Sequence, residues 1–263
     1  DLGFMEVSNP VIVDENEIYK QYGPEAPIIL DRCYYLAALP RPDIGLSRGK
    51  CEEIEEFGLK LTNEKIDGLQ KVLRAYKRGD IESDDLVEKF SGVLDVSDMT
   101  AMLIVSKVFP EFTSLRPEPT RLTLRSHITS AWFLTLQACQ HELEMPMKLF
   151  TVDVRFRREQ REDATHLRVH HGASCVIMSD EIDVKIGEEM TKLVLKPLGF
   201  EKFRFVKKKV TSKYYAPETE YEGYIHHEGM SRWIEVADYG LYSPIALARY
   251  DLEHPVLNLG IGV

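Results

Sequence analysis

The chain has 263 residues, of which 44% are hydrophobic, and a formal net charge of −10. This length and apolar content suffice for one large domain with a sizeable core, and they exclude a disordered chain. The acidic balance argues against a protein that coats nucleic acid without preference, and no apolar run approaches the roughly 20 residues of a membrane span.

Four cysteines are spread along the chain without a Cys-x-x-Cys pair, at Cys33, Cys51, Cys139 and Cys175. This spacing indicates neither a zinc knuckle nor a disulfide framework. Free thiols are typical of a reducing compartment, so we expect a cytoplasmic protein.

The first predicted elements are two apolar segments. Residues 4–13 have the composition of a strand but include Pro10, which a strand tolerates only at a sheet edge or a bulge. We therefore expect an edge strand there, suited to pairing across a two-fold dimer interface. The second apolar segment, residues 31–39, ends at Pro40 and Pro42.

From residue 51 to residue 112 the chain becomes charged and helix-forming. Three helices are predicted there: Thr62 or Asn63 is expected to cap the first, Ser83 is expected to cap the second, and the third covers Asp98 to Val108. Gly79 predicts the end of the first of these helices. Since the segment contains no cluster of catalytic residue types, we interpret 51–112 as a helical insertion.

The second half of the chain alternates strands with helices. The predicted strands are 122–129, 149–157, 170–178, 203–210, 233–239 and 256–263, and the predicted helices are 130–141 and one that begins at Ser179 or Asp180. Residues 149–157 and 170–178 suit an antiparallel hairpin with a long loop. Because the strands arrive as hairpins, without strict βαβ alternation, we predict an α+β fold: a mostly antiparallel sheet flanked by helices.

The end of the strand 149–157 carries a charged pattern. In an extended strand, Arg155 and Arg157 share one face and Arg158 points to the other. If that face is a cleft, Arg157 and Glu159 enter it together. A guanidinium can clamp a phosphate, and a carboxylate beside it can accept a hydrogen bond from an adenine amine. An isolated Arg-x-Glu is more often a surface ion pair.

Further polar residues surround this segment. His166 lies in the hairpin loop, where it can meet a terminal phosphate, and His170 lies on the second strand, where its ring can stack on a base. Metal binding shared by His170 and His171 is disfavoured because adjacent strand residues face opposite sides. Glu235 and Asp238 are candidate Mg²⁺ ligands, although an ordinary strand-end acid is the preferred interpretation of Asp238.

Several motifs together resemble the class II aminoacyl-tRNA synthetases. Asn9-Pro10, the Phe-Arg-Arg-Glu sequence of 156–159 and residues 257–262 are similar to motifs one, two and three of that class. Residues 124–129 and 163–166 resemble its phenylalanyl α-subunit type. A narrower resemblance, to the archaeal members that charge cysteine tRNA with O-phosphoserine, is carried by residues 19–24, 39–43 and 170–175 and extends over essentially the whole chain, 1–263.

This resemblance implies a class II catalytic fold, with ATP and Mg²⁺, formation of an acyl-adenylate, and transfer to the 3′ end of cysteine tRNA. It implies a homo-oligomer, a dimer or a tetramer. It assigns the catalytic and ATP-binding roles to Arg157 (α-phosphate), Glu159 (adenine amine), His166 (outer phosphates) and His170 (base stacking). Glu235, the candidate Mg²⁺ ligand, completes the expected ATP site. It places the phosphate of phosphoserine at Thr129, Ser174, Asn258 and His127.

Two departures from the family pattern affect these expectations. Gly172 stands where a serine contact to the phosphate is expected, two residues before Ser174. The motif-three arginine expected a few residues after Gly262 does not occur before the last residue, Val263. We therefore expect a catalytic domain truncated within motif three and inactive by itself.

Two alternatives remain at this stage. A phenylalanyl-type synthetase would surround its amino acid with apolar walls, whereas Thr129, Ser174 and Asn258 are polar. A synthetase-like module without activity would not need Arg157 and Glu159, which are both present.

Overall fold

The computed structural model describes residues 2–163 and 166–262. The chain divides into two compact units, which we call the sheet unit (Asp1–Leu36 and Arg121–Val263) and the helical unit (Ala37–Thr120). In the described part of the chain, no helix combines the length and the apolar composition that crossing a bilayer requires.

The strands and helices are as follows. The strands are β1 Met5–Glu6, β2 Ile12–Asp14, β3 Tyr34–Ala38, β4 Glu118–Leu124, β5 Met147–Phe156, β6 Val169–Met178, β7 Phe203–Lys207, β8 Tyr221–His227, β9 Arg232–Leu241 and β10 Val256–Gly262. The helices are α1 Glu15–Tyr22, α2 Ala26–Leu30, α3 Arg48–Glu55, α4 Asn63–Arg78, α5 Leu86–Leu94, α6 Asp98–Val108, α7 Thr129–Cys139, α8 Lys185–Leu195 and α9 Pro244–Ala248.

The larger sheet of the sheet unit has the order β1-β5-β6-β10-β9-β8-β7 within the described residues. Its neighbours pair antiparallel except β1 and β5, which run parallel. The predicted mostly antiparallel sheet is therefore confirmed. In the smaller sheet, β4 lies between β2 and β3.

Helices cover the larger sheet through two apolar clusters. The first joins α7 to β5 and β6, with Trp132, Phe133 and Leu149 at its centre. The second joins α8 to β8, β9 and β10. Trp132 and Phe133 are 0% exposed, and burying a large apolar side chain contributes roughly 1.5–3 kcal/mol. These contacts fix α7, whose first residue is Thr129, beside the sheet.

The helical unit has its own apolar core, in which the side chains of α4, α5 and α6 meet Phe109. As predicted, Thr62 caps α4, accepting a hydrogen bond from the Lys65 amide, and Gly79 ends it in a left-handed conformation (φ 90°). Ser83 begins only a short 3₁₀ turn, and α5 starts at Leu86. The unit contains the range 51–112 and extends beyond it at both ends.

Several strand and helix predictions were wrong in detail. The predicted strand 122–129 is observed only to Leu124, where β4 ends, and Thr129 already begins α7. Residues 4–13 are not one strand: Pro10 separates β1 from β2, which belong to different sheets, because proline has no amide to donate to a ladder. Helix α8 begins at Lys185, and Asp180 instead bonds His254 (Oδ1 to Nδ1, 2.7 Å). Strand β8 was not predicted. The predicted strand 256–263 is observed as Val256–Gly262, and Val263 lies outside the described residues.

Candidate active site

One face of the larger sheet, at β5, β6, β9 and β10, forms the floor of a cavity of about 850 Å³ in the sheet unit. Most of the predicted site residues line it: His127, Thr129, Arg157, Glu159, His166, His170 and Glu235. The other two, Ser174 and Asn258, are 5% and 0% exposed, and Asn258 contacts the lining residue Thr129. The cavity thus brings the predicted residues into one place, and their individual roles stay predictions.

The β5–β6 hairpin positions the arginine pair as predicted. Arg155 lies opposite His170 in the ladder, and the Arg157 amide bonds the Arg168 carbonyl (2.8 Å) just beyond it. Arg155 and Arg157 line the cavity, whereas Arg158 turns away and pairs with Asp31 (Nη2 to Oδ1, 2.7 Å). In the described chain, the hydrogen bond of the Arg157 guanidinium is a long one, from Nε to the Ser126 carbonyl (3.5 Å). Arg157 is therefore available to a ligand.

The positive charge of this region acts on two histidines. Burial, followed by the charges of Arg157 and Arg155, holds the pKa of His127 well below its usual value. Burial and the same two arginines also lower the pKa of His170. Both rings are therefore neutral at neutral pH, and the surrounding field favours an anionic ligand.

A hydrogen-bonded cluster lies at Thr129. The Asn258 amide accepts from Tyr215 (Oη to Oδ1, 2.7 Å) and Thr129 (3.5 Å), and it donates to Ser174 Oγ and the Cys175 carbonyl (both 3.1 Å). The Ser174 hydroxyl also accepts from Trp132 Nε1 and donates to the Leu259 carbonyl (both 2.9 Å). The hydrogen-bonding capacity of Ser174 and Asn258 is thereby filled within the protein.

The opposite side of the cavity is acidic because of a bulge in β9. Gly223 pairs with Ala237 and Tyr224 with Glu235, which leaves Val236 without a partner in β8. The extra residue reverses the alternation of side chains, so Glu235 and Asp238, three positions apart, both line the cavity. The interpretation of Asp238 as an ordinary strand-end acid does not account for this placement.

Asp238 belongs to a charged network around Lys208. Lys208 Nζ lies 3.0 Å from Asp238 Oδ2 and 2.8 Å from Glu220 Oε1, and Glu220 is 0% exposed. Burial and the charge of Glu220 raise the pKa of the Asp238 carboxyl well above the range ordinary for aspartate, against the opposing effect of Lys208. Burial also raises the pKa of Glu235.

These acids fit a divalent cation that shares a ligand's phosphates. Among the described residues, no group of three or more His, Cys, Asp or Glu side chains could hold a metal ion by itself. Mg²⁺, however, is usually bound through one or two carboxylates together with substrate phosphates. Glu235 faces the cavity, and Asp238 Oδ1 is a buried oxygen without a hydrogen-bond partner in the described chain. The donor set is therefore of the type Mg²⁺ prefers.

The raised pKa of Asp238 predicts a pH effect on stability. The folded protein retains this proton at pH values where the unfolded chain releases it, near pH 4. The free energy of unfolding therefore falls as the pH rises from about 4 through the folded-state pKa of Asp238. We expect Asp238→Asn to gain stability relative to the wild type as the pH rises over this range, as measured by urea denaturation. A difference independent of pH would contradict the assignment.

Sequence reasoning missed several residues of the site. Arg32, Arg155, Lys208 and Tyr215 line the cavity without having been predicted to bind anything. Arg155 shares a face with Arg157 in the sequence pattern, but no sequence signal shows that its guanidinium lacks a partner. Residues 202–213 hold six lysines and arginines, several of which are paired with acids. The ion pairs include Lys207 with Glu218, Lys213 with Glu25, and Lys208 with the acids described above.

Comparison with known families agrees with this architecture. Residues 43–263 match the family described as "tRNA synthetases class II core domain (F)". The chain therefore belongs to the class II aminoacyl-tRNA synthetases, and the predicted fold class is confirmed. Solved structures of the pyrrolysyl-tRNA synthetase of Desulfitobacterium hafniense share the fold, with a TM-score of 0.54 at 12% identity over 99% of this chain and 60–61% of theirs.

Curated relatives are more similar in sequence. O-phosphoserine–tRNA(Cys) ligases from Methanothermobacter thermautotrophicus and Methanocaldococcus jannaschii are 48% and 50% identical over 262 residues, which is 100% of this chain. The Methanococcus maripaludis enzyme of the same name is 48% identical. The chain spans 49% of the length of each of these relatives.

Proposed function

We propose that this chain is the catalytic core of a cytoplasmic enzyme that joins O-phosphoserine to cysteine tRNA through an aminoacyl-adenylate. The observation that supports it most is the 48–50% identity, over the whole chain, to ligases of that name. The cavity is compatible with this substrate, since its arginines and neutral histidines favour an anionic ligand. The proposal includes a homo-oligomer, a dimer or a tetramer.

ATP is assigned to the side of the cavity that carries the hairpin residues. Arg157 contacts the α-phosphate, Glu159 accepts from the adenine amine, His166 meets the outer phosphates, and His170 stacks on the base. His166 is oriented by Asp163, whose Oδ1 lies 2.9 Å from its Nδ1. Glu235 and Asp238 would hold Mg²⁺, which neutralises phosphate charge when bound.

The first chemical step is in-line displacement at phosphorus. A carboxylate oxygen of the amino acid attacks the α-phosphorus of ATP, and the bond to the pyrophosphate oxygen breaks. The attacking carboxylate is already ionised, so the step needs no general base. Arg157 stabilises the charge that develops on the α-phosphate oxygens, and the cavity holds both substrates in line. A ribose hydroxyl at the 3′ end of the tRNA then attacks the acyl carbon. The bond from that carbon to the phosphate oxygen of AMP breaks, AMP leaves, and the hydroxyl proton is released to water.

The amino acid is assigned to the other end of the β6 floor. His127 and Thr129 face the cavity there, and α7 begins at Thr129, so the positive end of the helix dipole lies beside it. Ser174 and Asn258 support Thr129 from the interior. Their predicted direct contact with the substrate phosphate would require an exchange of the hydrogen bonds that they make within the protein.

The phenylalanyl-type alternative is not favoured because the region around Thr129 is hydrogen-bonded and polar. The test is ATP–pyrophosphate exchange by the full-length protein. We expect exchange that depends on phosphoserine and is absent with phenylalanine. Exchange with phenylalanine but not with phosphoserine would refute the proposal, and exchange with neither would favour a module without activity.

A further inference from the structure

Arg155 is a half-buried arginine on the floor of the cavity to which the proposed chemistry assigns no role. It lies on β5, and its guanidinium extends across β6 towards β10. Two glycines make room for it. A Cβ added to Gly172 would lie 3.4 Å from Arg155 Cζ, and one added to Gly262 would overlap the guanidinium. The small residues at these two positions therefore allow an arginine to lie flat on the sheet.

Arg155 has no counterion in the part of the chain that the structure describes. Its Nε is buried without a hydrogen-bond partner. Two other arginines of this region differ in this respect: Arg125 pairs with Asp153 (Nη2 to Oδ2, 2.5 Å), and Arg158 pairs with Asp31. A buried cation is costly unless it is paired, so an unpaired one that faces a cavity indicates an anionic ligand.

The electrostatic surroundings agree with this reading. Burial and the charge of Arg157 lower the pKa of Arg155 to about 10, which leaves the guanidinium charged at neutral pH. The acids of the cavity, Glu235 and Asp238, lie on β9, where Lys208 already pairs with Asp238. An anion bound at Arg155 would neutralise the positive charge that lies unpaired at β5 and β6.

The polar cluster at Thr129 does not supply the positive charge that would balance a bound anion. Ser174 and Asn258 make all the hydrogen bonds that they can make within the protein, and they are neutral. Ser174 lies two residues from Gly172 on β6, about 7 Å along the strand. A ligand that reaches from Thr129 towards Gly172 would therefore place its far end at Arg155.

We propose that Arg155 binds the phosphate group of the phosphoserine side chain. This assignment rests on the proposed function. The planar guanidinium fits two phosphate oxygens at once and supplies the positive charge that the hydroxyl and amide groups lack. Gly172 contributes to this site. A serine hydroxyl was expected at this position, and the absence of a side chain leaves space for the Arg155 guanidinium instead.

The test compares Arg155→Gln, Arg155→Lys and the control Arg158→Gln in the full-length protein. Arg158 neighbours the same motif, but it faces away from the cavity. Isothermal titration with phosphoserine alone should show a Kd that rises roughly 10- to 100-fold in Arg155→Gln, less in Arg155→Lys, and not in Arg158→Gln. The KM for ATP in the exchange reaction should stay within about threefold in every variant.

A pH series adds a readout that a purely structural role would not change. The second pKa of a phosphate monoester is about 6, so wild-type affinity should fall between pH 7.5 and 5.5, and this dependence should weaken in Arg155→Gln. An unchanged Kd in Arg155→Gln, or an effect confined to the KM for ATP, would overturn the assignment. If Arg155→Gln does not fold, an unchanged Kd in Arg155→Lys overturns it. Failure of the wild type to bind phosphoserine would instead refute the proposed function.

Discussion

Replacing Arg157 by alanine is expected to reduce phosphoserine-dependent ATP–pyrophosphate exchange by roughly 10²- to 10³-fold in the full-length protein. Arg157 faces the cavity, and the hydrogen bond that its guanidinium makes within the described chain is a long one, at 3.5 Å. Its charge is therefore available to the α-phosphate, where negative charge grows during the displacement. The loss should appear mainly in kcat, because the interaction strengthens in the transition state.

Arg158→Ala is the matched control for this experiment, since it removes the same charge from the adjacent position. Arg158 pairs with Asp31 and points away from the cavity, so exchange should stay within about threefold of the wild type. Circular dichroism should show that both variants are folded. Retention of more than about a tenth of the activity by Arg157→Ala would contradict its proposed role at the α-phosphate.

Replacing Trp132 by alanine should lower the free energy of unfolding by about 3–5 kcal/mol. The indole is 0% exposed, fills the apolar cluster between α7 and the sheet, and donates to Ser174 Oγ (2.9 Å). Truncation leaves a cavity and removes one bond from the Ser174 cluster. Because domains are commonly stable by only about 5–15 kcal/mol, this loss is a large share of the total. Urea denaturation followed by circular dichroism measures it.

The chain offers a matched control, since it contains only one other tryptophan. Trp233 is 38% exposed and meets His226 edge-on and the Arg204 guanidinium on its face. Trp233→Ala should therefore cost about 1 kcal/mol or less. Equal losses in the two variants would show that Trp132 does not pack as described.

The sequence predicted the elements whose signals are local. The hairpin of β5 and β6 follows from two apolar runs and a polar loop, and α4 follows from the cap at Thr62 and the glycine at residue 79. Both depend on residues close together in the chain. Pro10 was expected to lie within one edge strand, and the sequence did not show that it separates strands of two different sheets.

Features that depend on distant partners were not predictable in the same way. Strand β8 is stabilised by pairing with both β7 and β9, and its residues Tyr221–His227 give no strong pattern by themselves. Asp180 is a good helix cap by residue type, but it bonds His254, 74 residues away. The charge of Lys208 is neutralised by acids that only the fold brings near.

The candidate site likewise combines residues that a local motif identifies with features that depend on distant partners. Arg157 and Glu159 were identified from a motif, and the fold placed them on the cavity. Ser174 and Asn258 are buried, and their hydrogen bonds are made within the protein. The partners are Trp132, Tyr215 and two backbone carbonyls, which the spacing of residues in the sequence does not reveal. The unpaired state of Arg155 is likewise a property of its surroundings.

The bulge at Val236 limits which changes of chain length β9 can accept. Deletion of one residue between Glu235 and Asp238 would restore regular pairing with β8 and turn one of the two acids away from the cavity. Replacement of the Val236 side chain would leave both acids in place. Residues 235–238 should therefore tolerate substitutions better than insertions or deletions. Two acids placed two positions apart across the bulge would not both face the cavity, as Glu235 and Asp238 do.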